Sequence, residues 1–312
     1  MMSLQSDSLK NILTNQSMQA AVACARRIFV LSTLILLASV FAHSQEIGTV
    51  TLLQDSPLHV IRGYTLLQGA EGMKLRQGDI LETGPAANAQ AQLEFPGGAI
   101  VVLGPSSQFY ILSQSGANAE LVLLSGWVKG ETTAGTYRFS SPLASATSKG
   151  GNVLLHVTSE GAEVFVERGN AAVSGGSGAA IVSAPGKTFF THKAGKPLVE
   201  AARPSGDFVG AMPISFRDVL PPRISAFVGK KPSLPKGDHD VTYADIERWL
   251  TSSPAWRKGF VARFKPRLQD SAFRKAIADH IAALPEWQPA LHPEDHNTGA
   301  APAAKSSFPP GE

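Results

Sequence analysis

Apolar and polar residues alternate strictly over Ala89-Gln90-Ala91-Gln92-Leu93-Glu94-Phe95, a period of two that marks a strand with one buried face. Pro96-Gly97-Gly98 follows, where Pro presets φ and Gly accepts positive φ, so a turn is expected before the apolar run Ile100-Val101-Val102-Leu103. Short apolar runs separated by Gly, Asn and Ser continue to about residue 199. They predict further strands at residues 49–53, 58–62, 108–112, 120–124, 127–130, 137–140, 153–158, 162–167, 171–173, 179–182 and 187–191. This spacing is that of a β-sandwich or β-roll. Gly175-Gly176-Ser177-Gly178 reads as a hairpin connection, because no helix follows to supply an anion-binding N-terminus.

The pattern changes near Ala201. Arg203-Pro204, Pro213, Pro221-Pro222, Pro232 and Pro235 interrupt regular structure, so residues 201–240 are expected as a proline-rich extended linker over the β-domain surface. Helical periodicity then takes over in residues 241–288. Thr242 and Asp245 form a capping arrangement for a helix over 243–250, with Ile246, Trp249 and Leu250 on one face. Pro254 starts a second helix carrying Trp256, Phe260, Val261 and Phe264. Asp270 or Ser271 caps a third, with Phe273, Ile277, Ile281 and Leu284 as its apolar stripe. Residues 289–312, rich in Pro, Ala, Ser and His, are expected to be a disordered tail. The fold class is therefore mainly β, followed by a small α-helical C-terminal region.

The N-terminus has a different character. Arg26-Arg27 precede an uncharged apolar run of about 14 residues and the small-residue stretch Ala42-His43-Ser44, the layout of a secretory signal peptide. The expected mature start is near Ser44/Gln45, with cleavage after Ala42 or retention as an anchor as the alternatives; a membrane span wants roughly 18 or more apolar residues. Met18 offers a later start that would give a signal of ordinary length. Arg26-Arg27 also resembles a twin-arginine export signal, although an ordinary basic region describes it as well. The single cysteine, Cys24, would leave with the signal, so the mature chain would have no disulfide, thiolate metal ligand or cysteine nucleophile.

Removing residues 1–44 takes away Lys10, Arg26, Arg27 and Asp7, leaving 25 basic and 24 acidic residues. So even a balance argues against nucleic acid as the partner. The distribution is less even: residues 203–288 carry 14 basic and 9 acidic side chains, against 10 and 12 in residues 45–202. Lys258, Arg263, Lys265, Arg267, Arg274 and Lys275 crowd onto the expected helices beside Trp256, Phe260 and Phe264. They are either a solvated rim over a small aromatic core or a docking surface for an acidic protein or an anionic envelope polymer.

Several motifs quoted above fall in the order found in the FecR domain, a bacterial extracytoplasmic β-module. Gly48-Thr49-Val50-Thr51-Leu52-Leu53 and Val60-Ile61-Arg62-Gly63 look like its first strands. Leu66 to Gly78-Asp79 and then Thr83-Gly84 match its cadence, and Leu121-Val122-Leu123-Leu124-Ser125-Gly126-Trp127 is similar to its midpoint. Tyr137 to Pro142 and Val164 to Val173 complete a resemblance that covers about residues 48–175. The chain departs from it at Pro96-Gly97-Gly98-Ala99, where the family usually has Asp-Gly-Ser, and at Gly150-Gly151, where it usually has Gly-Thr. The resemblance implies a non-catalytic periplasmic binding or interaction module of a Gram-negative envelope, acting on another envelope protein or cell-wall polymer. The alternative it implies is a membrane-anchored signal-transducing regulator of the anti-sigma type, but residues 1–25 are too short for a sigma-binding domain.

No Gly-x-Ser-x-Gly elbow, Walker loop or dinucleotide fingerprint occurs, so no enzyme and no cofactor is expected. Asp238-His239-Asp240 and His292, Glu294, Asp295, His296 have ligand-like composition, but both lie in proline-flanked segments, and no metal is expected at either. His156 and Trp127 are read as packed strand residues.

Overall fold

The computed structural model describes residues 46–176 and 182–292. The expected signal peptide with Cys24, part of the Gly175–Gly178 connection, part of the strand expected at 179–182 and the tail beyond residue 292 lie outside the described residues. The protein is mainly β with small C-terminal helices, as the periodicity implies.

Among the described residues, sixteen strands share one continuous hydrogen-bonded ladder. The first eight are β1 (Glu46–Gln54), β2 (Leu58–Arg62), β3 (Thr65–Gln68), β4 (Lys74–Arg76), β5 (Ile80–Thr83), β6 (Gln90–Phe95), β7 (Ala99–Leu103) and β8 (Gln108–Ser115). The rest are β9 (Asn118–Thr132), β10 (Tyr137–Ser140), β11 (Ala144–Val157), β12 (Gly161–Gly175), β13 (Val182–Pro185), β14 (Thr188–Lys193), β15 (Val199–Ala201) and β16 (Lys236–Asp240). The ladder doubles over because β9, β11 and β12 change partners midway. The first half of β9 pairs with β8 and, in parallel, with β10; its second half pairs with β7 and β11. β12 likewise pairs with β14 in its first half and β13 in its second. The result is a sandwich. One layer runs β16-β3-β2-β5-β8-β9-β10-β11-β12-β13, and the other runs β4-β1-β6-β7-β9-β11-β12-β14-β15.

Here the strands differ from the sequence expectation. Residues 120–124 and 127–130 form one strand, as do 162–167 and 171–173. Gly126 (φ 91°) and Gly169 (φ 81°), which read as turns, are bends within continuous strands. A side chain at Gly126 would also sit 2.5 Å from Ser107 Cα. The short strands β3, β4 and β5 escape periodicity because three or four residues carry too few alternations.

The core between the layers joins Val60, Leu81, Phe109, Ile111 and Leu123 of one sheet to Val50, Leu93, Val101, Val128 and Leu155 of the other. Neighbours along the same strands are buried too, on the opposite face: Ile80 beside Leu81, Val122 beside Leu123, Val102 beside Val101. Both outer faces must therefore be covered, and the C-terminal third of the chain covers them.

On the outer face of the first layer, Ile61, Leu66, Ile80, Tyr110, Val122 and Leu124 lie under the helical region. After a short helix α1 (Gly206–Ala211), this region comprises α2 (Tyr243–Leu250), α3 (Pro254–Arg257), α4 (Phe260–Phe264), α5 (Ser271–Asp279) and α6 (Gln288–Leu291). Thr242 and Asp245 close a reciprocal capping box on α2, and the Asp270 carboxylate accepts from Ala272 N and Phe273 N at the start of α5. Trp249, Phe260, Phe264, Ile277 and Trp287 are buried against the sheet or one another. Among the described residues no helix is long and apolar enough to cross a membrane.

Candidate interaction surface

Residues 203–240 form a strap around the sandwich. Ser205 caps α1, its hydroxyl accepting from Phe208 N at 3.1 Å. This sets Phe208 among Trp127 (ring centroids 5.3 Å apart), Phe189 (4.9 Å) and Phe165 (6.5 Å) on the outer face of the second layer. Phe216 meets Trp127 edge-on, and Met212 and Leu220 join the same cluster. Gly104 admits this approach, since a Cβ there would be 3.1 Å from the Pro213 ring and 2.9 Å from Trp127 Cβ.

Further along, buried polar side chains of the sheet grip the strap by its main chain. Lys129 Nζ donates to Phe216 O at 2.8 Å and Asp218 O at 2.9 Å, and pairs with Glu167 at 3.0 Å. Gln92 Nε2 donates to Pro221 O at 2.9 Å. The Glu94 carboxylate accepts from Arg223 N at 2.6 Å and Ile224 N at 3.1 Å, while the Thr51 hydroxyl donates to it at 2.8 Å. The alternation over residues 89–95 locates one buried face, but its polar partners Gln90, Gln92 and Glu94 are buried as well. What covers Gln92 and Glu94 is the main chain of Pro221, Arg223 and Ile224, which carries no signal in the side-chain pattern.

The strap then turns the rim, where Ser233 N donates to Gly72 O, and β16 pairs with β3 in the first layer. Held in this way, it leaves several aliphatic side chains uncovered: Ile214 is 68% exposed, Val219 70%, Val228 76% and Leu234 80%.

The six cations expected as a docking surface do not share one role. Arg263 turns inward. Its guanidinium donates to Ile61 O and Gly78 O, each at 2.7 Å, and to Gly63 O, and it lies 4.8 Å from the Phe264 ring centroid. Burial pulls this group down to about 10, so it stays charged at neutral pH. Arg267 donates to Val241 O and pairs with Asp240 and Asp270, and Arg274 donates to Leu291 O. Lys275 pairs with Asp279 one turn on. Lys258 and Lys265 are exposed, and among the described residues neither has a hydrogen-bond or ion-pair partner. The arginines thus lock the helices together and to the sheet, because a guanidinium can satisfy several carbonyls at once. Helical spacing reports which element carries a cation, not which way it points.

The remaining polar candidates are also tied into the fold. Asp79 of the Gly78-Asp79 pair accepts from Arg62 Nε at 2.9 Å and Nη2 at 2.7 Å, and from Arg76 N. His156 Nδ1 lies 2.8 Å from Glu163 Oε2 across the β11–β12 ladder, its ring stacked 3.8 Å from Trp127. His239 sits between Asp245 (3.1 Å) and Asp238 (3.4 Å), and its hydrogen bond to Asp245 raises its pKa. Asp240 instead reaches Arg267 and Thr65.

Glu82 is the least comfortable of these groups. It faces the helices from β5, and burial raises its pKa despite hydrogen bonds from the Trp249 indole and Gln108. A carboxyl whose pKa is higher folded than unfolded favours the folded state below the unfolded value and loses that advantage as pH rises through the folded one. Glu82→Gln is therefore expected to raise the denaturation midpoint at neutral pH, with the gain vanishing toward pH 4. A gain that persists at acid pH would point to a cause other than charge burial.

No known family profile matches the chain, and no curated protein matches it. Two crystal structures of candidate anti-sigma factors from Parabacteroides distasonis, at 1.65 and 2.50 Å resolution, are similar to part of the fold. The first is 10% identical with a TM-score of 0.33, covering 37% of this chain and 57% of its own. The second is 11% identical with a TM-score of 0.35, covering 40% and 60%. The chain thus spans less than two thirds of either structure it matches.

Proposed function

We propose that the protein is a non-catalytic interaction module of the bacterial cell envelope, exported to the periplasm and acting through contacts with another envelope protein or a cell-wall polymer. The observation that carries this reading is the strap. Buried Lys129, Gln92 and Glu94 fix its main chain, while Ile214 and Val219 stand out into solvent. A single exposed aliphatic side chain is ordinary on a protein surface, but this strap exposes Ile214, Val219, Val228 and Leu234 along one segment whose main chain is fixed, which is what suits it to contact a partner. The FecR resemblance over residues 48–175 supports the envelope setting, and the apolar run after Arg26-Arg27 supports export. Lys258 and Lys265, with Lys275, remain a secondary contact candidate on the helices.

The test combines cell fractionation and intact mass with a photo-crosslinking side chain placed at Val219. A soluble periplasmic species beginning near Gln45 that crosslinks to one envelope component is the expected result. A membrane-bound species retaining residues 26–44 would favour the anti-sigma type of regulator instead. Absence of any crosslink from Val219 would remove the strap as the contact surface.

A further inference from the structure

Where the strap rounds the rim, its chemistry changes. No acidic residue occurs between Asp218 and Asp238, whereas Arg223, Lys230, Lys231 and Lys236 are all exposed. Val228 and Leu234, the two most exposed large hydrophobic side chains among the described residues, alternate with these cations along the turn.

The turn is held firmly at its base. Arg223 N and Ile224 N are bound by Glu94, and Phe227 packs beside Gly72, where a Cβ would lie 3.2 Å from its ring. Val228 N donates to Ser225 O, Lys230 N to Phe227 O, and Ser233 N to Gly72 O. Gly229 adopts φ 72° to reverse the chain, and Pro232 and Pro235 restrict the return. Val228 and Leu234 are therefore presented outward by a backbone with little freedom left to lose on binding. Glu71, the acidic residue beside Gly72, is engaged by β1, its carboxylate accepting from Leu53 N at 2.9 Å.

We propose that this rim turn, residues 223–236, docks on an anionic lipid bilayer. Val228 and Leu234 enter the headgroup boundary, and Arg223, Lys230, Lys231 and Lys236 face the lipid phosphates. The proposal rests on the reading of the strap as a contact surface and names the partner for its rim. A bilayer fits better than a protein because one projecting turn offers far less than the roughly 800 Å² per partner of a stable protein interface. Lysine is also depleted from protein interface cores. A charged membrane needs only shallow apolar insertion and a local excess of cations.

The experiment uses the full chain with Leu234→Cys in a Cys24→Ser background, carrying an environment-sensitive fluorophore at position 234. The probe reports on the turn itself, whatever the N-terminal apolar run does. Vesicles of phosphatidylglycerol are expected to shift the emission to the blue, and vesicles of phosphatidylcholine to leave it unchanged. Adding Lys230→Gln and Lys231→Gln is expected to weaken the titration about thirtyfold, and high salt to abolish it. An unshifted probe on phosphatidylglycerol vesicles overturns the proposal. So does a titration that ignores the two lysines, or a shift that appears only with an acidic protein. If the probe stays silent while crosslinking from Val219 persists, bilayer docking alone has failed; loss of both removes the underlying reading as well.

Discussion

Arg263→Ala is expected to destabilise the folded protein by about 3 kcal/mol, because it removes a half-buried cation from three carbonyl acceptors at once. Ile61 O, Gly78 O and Gly63 O lie at the junction of the first layer with its helical cover; water can reach Gly63, which is exposed, more readily than the partly buried acceptors at Ile61 and Gly78. The guanidinium of Arg263 also lies over the Phe260 and Phe264 rings, so its loss removes a cation–π contact beside two buried aromatics. Arg263→Lys should recover only a minor part, since one ammonium cannot reproduce a planar fork spanning three carbonyls. Chemical denaturation monitored by Trp249 and Trp287 fluorescence would measure it. A loss below about 1 kcal/mol, the worth of an ordinary surface pair, would mean that the cap is held by apolar packing alone.

The second large effect is expected at Lys129, and it should be local. Lys129→Ala leaves Phe216 O and Asp218 O without a donor and Glu167 without its cation, a cost of about 3 kcal/mol or more. The strap can answer by lifting locally around residues 216–218, because there Lys129 supplies its hydrogen bonds to the sheet, while Gln92 and Glu94 hold the main chain only from Pro221 onward. Arg217 lies in the released stretch, so trypsin cleavage there should accelerate by at least about tenfold, the factor that 1.4 kcal/mol of easier opening produces. Unchanged cleavage with a lowered global midpoint would show that the strap unfolds only with the sandwich.

Much of the fold is legible in the sequence, and the boundary of that legibility is physical. Period-two alternation finds β6, and the continuous run Ile100 to Leu103 already signals a strand covered on both sides. The capping box at Thr242 and the stripe through Phe273 and Ile277 locate α2 and α5. Gly126 and Gly169 were harder to read, because a glycine with positive φ serves a turn and a bend in a long strand equally well. The contact surface was the least legible part. Lys129, Gln92 and Glu94 occupy positions that an alternating strand assigns to solvent, and only the strap makes them interior. For Arg263 the sequence supplies charge and helical phase, whereas the carbonyls it holds come from far along the chain, 185 and 202 residues away for Gly78 and Ile61.

The order in which the chain is made gives the strap one more consequence. Among the described residues every strand but β16 is complete by residue 201, yet the outer face with Trp127, Leu154 and Phe189 and the one with Tyr110 and Val122 are closed by residues from Phe208 onward. A nascent chain that has delivered only its first two hundred residues presents two uncovered apolar faces, the condition under which sheets stick to one another. The change of composition near Ala201 thus divides the chain by amino-acid usage and not by autonomy: a fragment cut there is expected to aggregate. In the cell such a chain would depend on a holding chaperone until the last third arrives to close both faces.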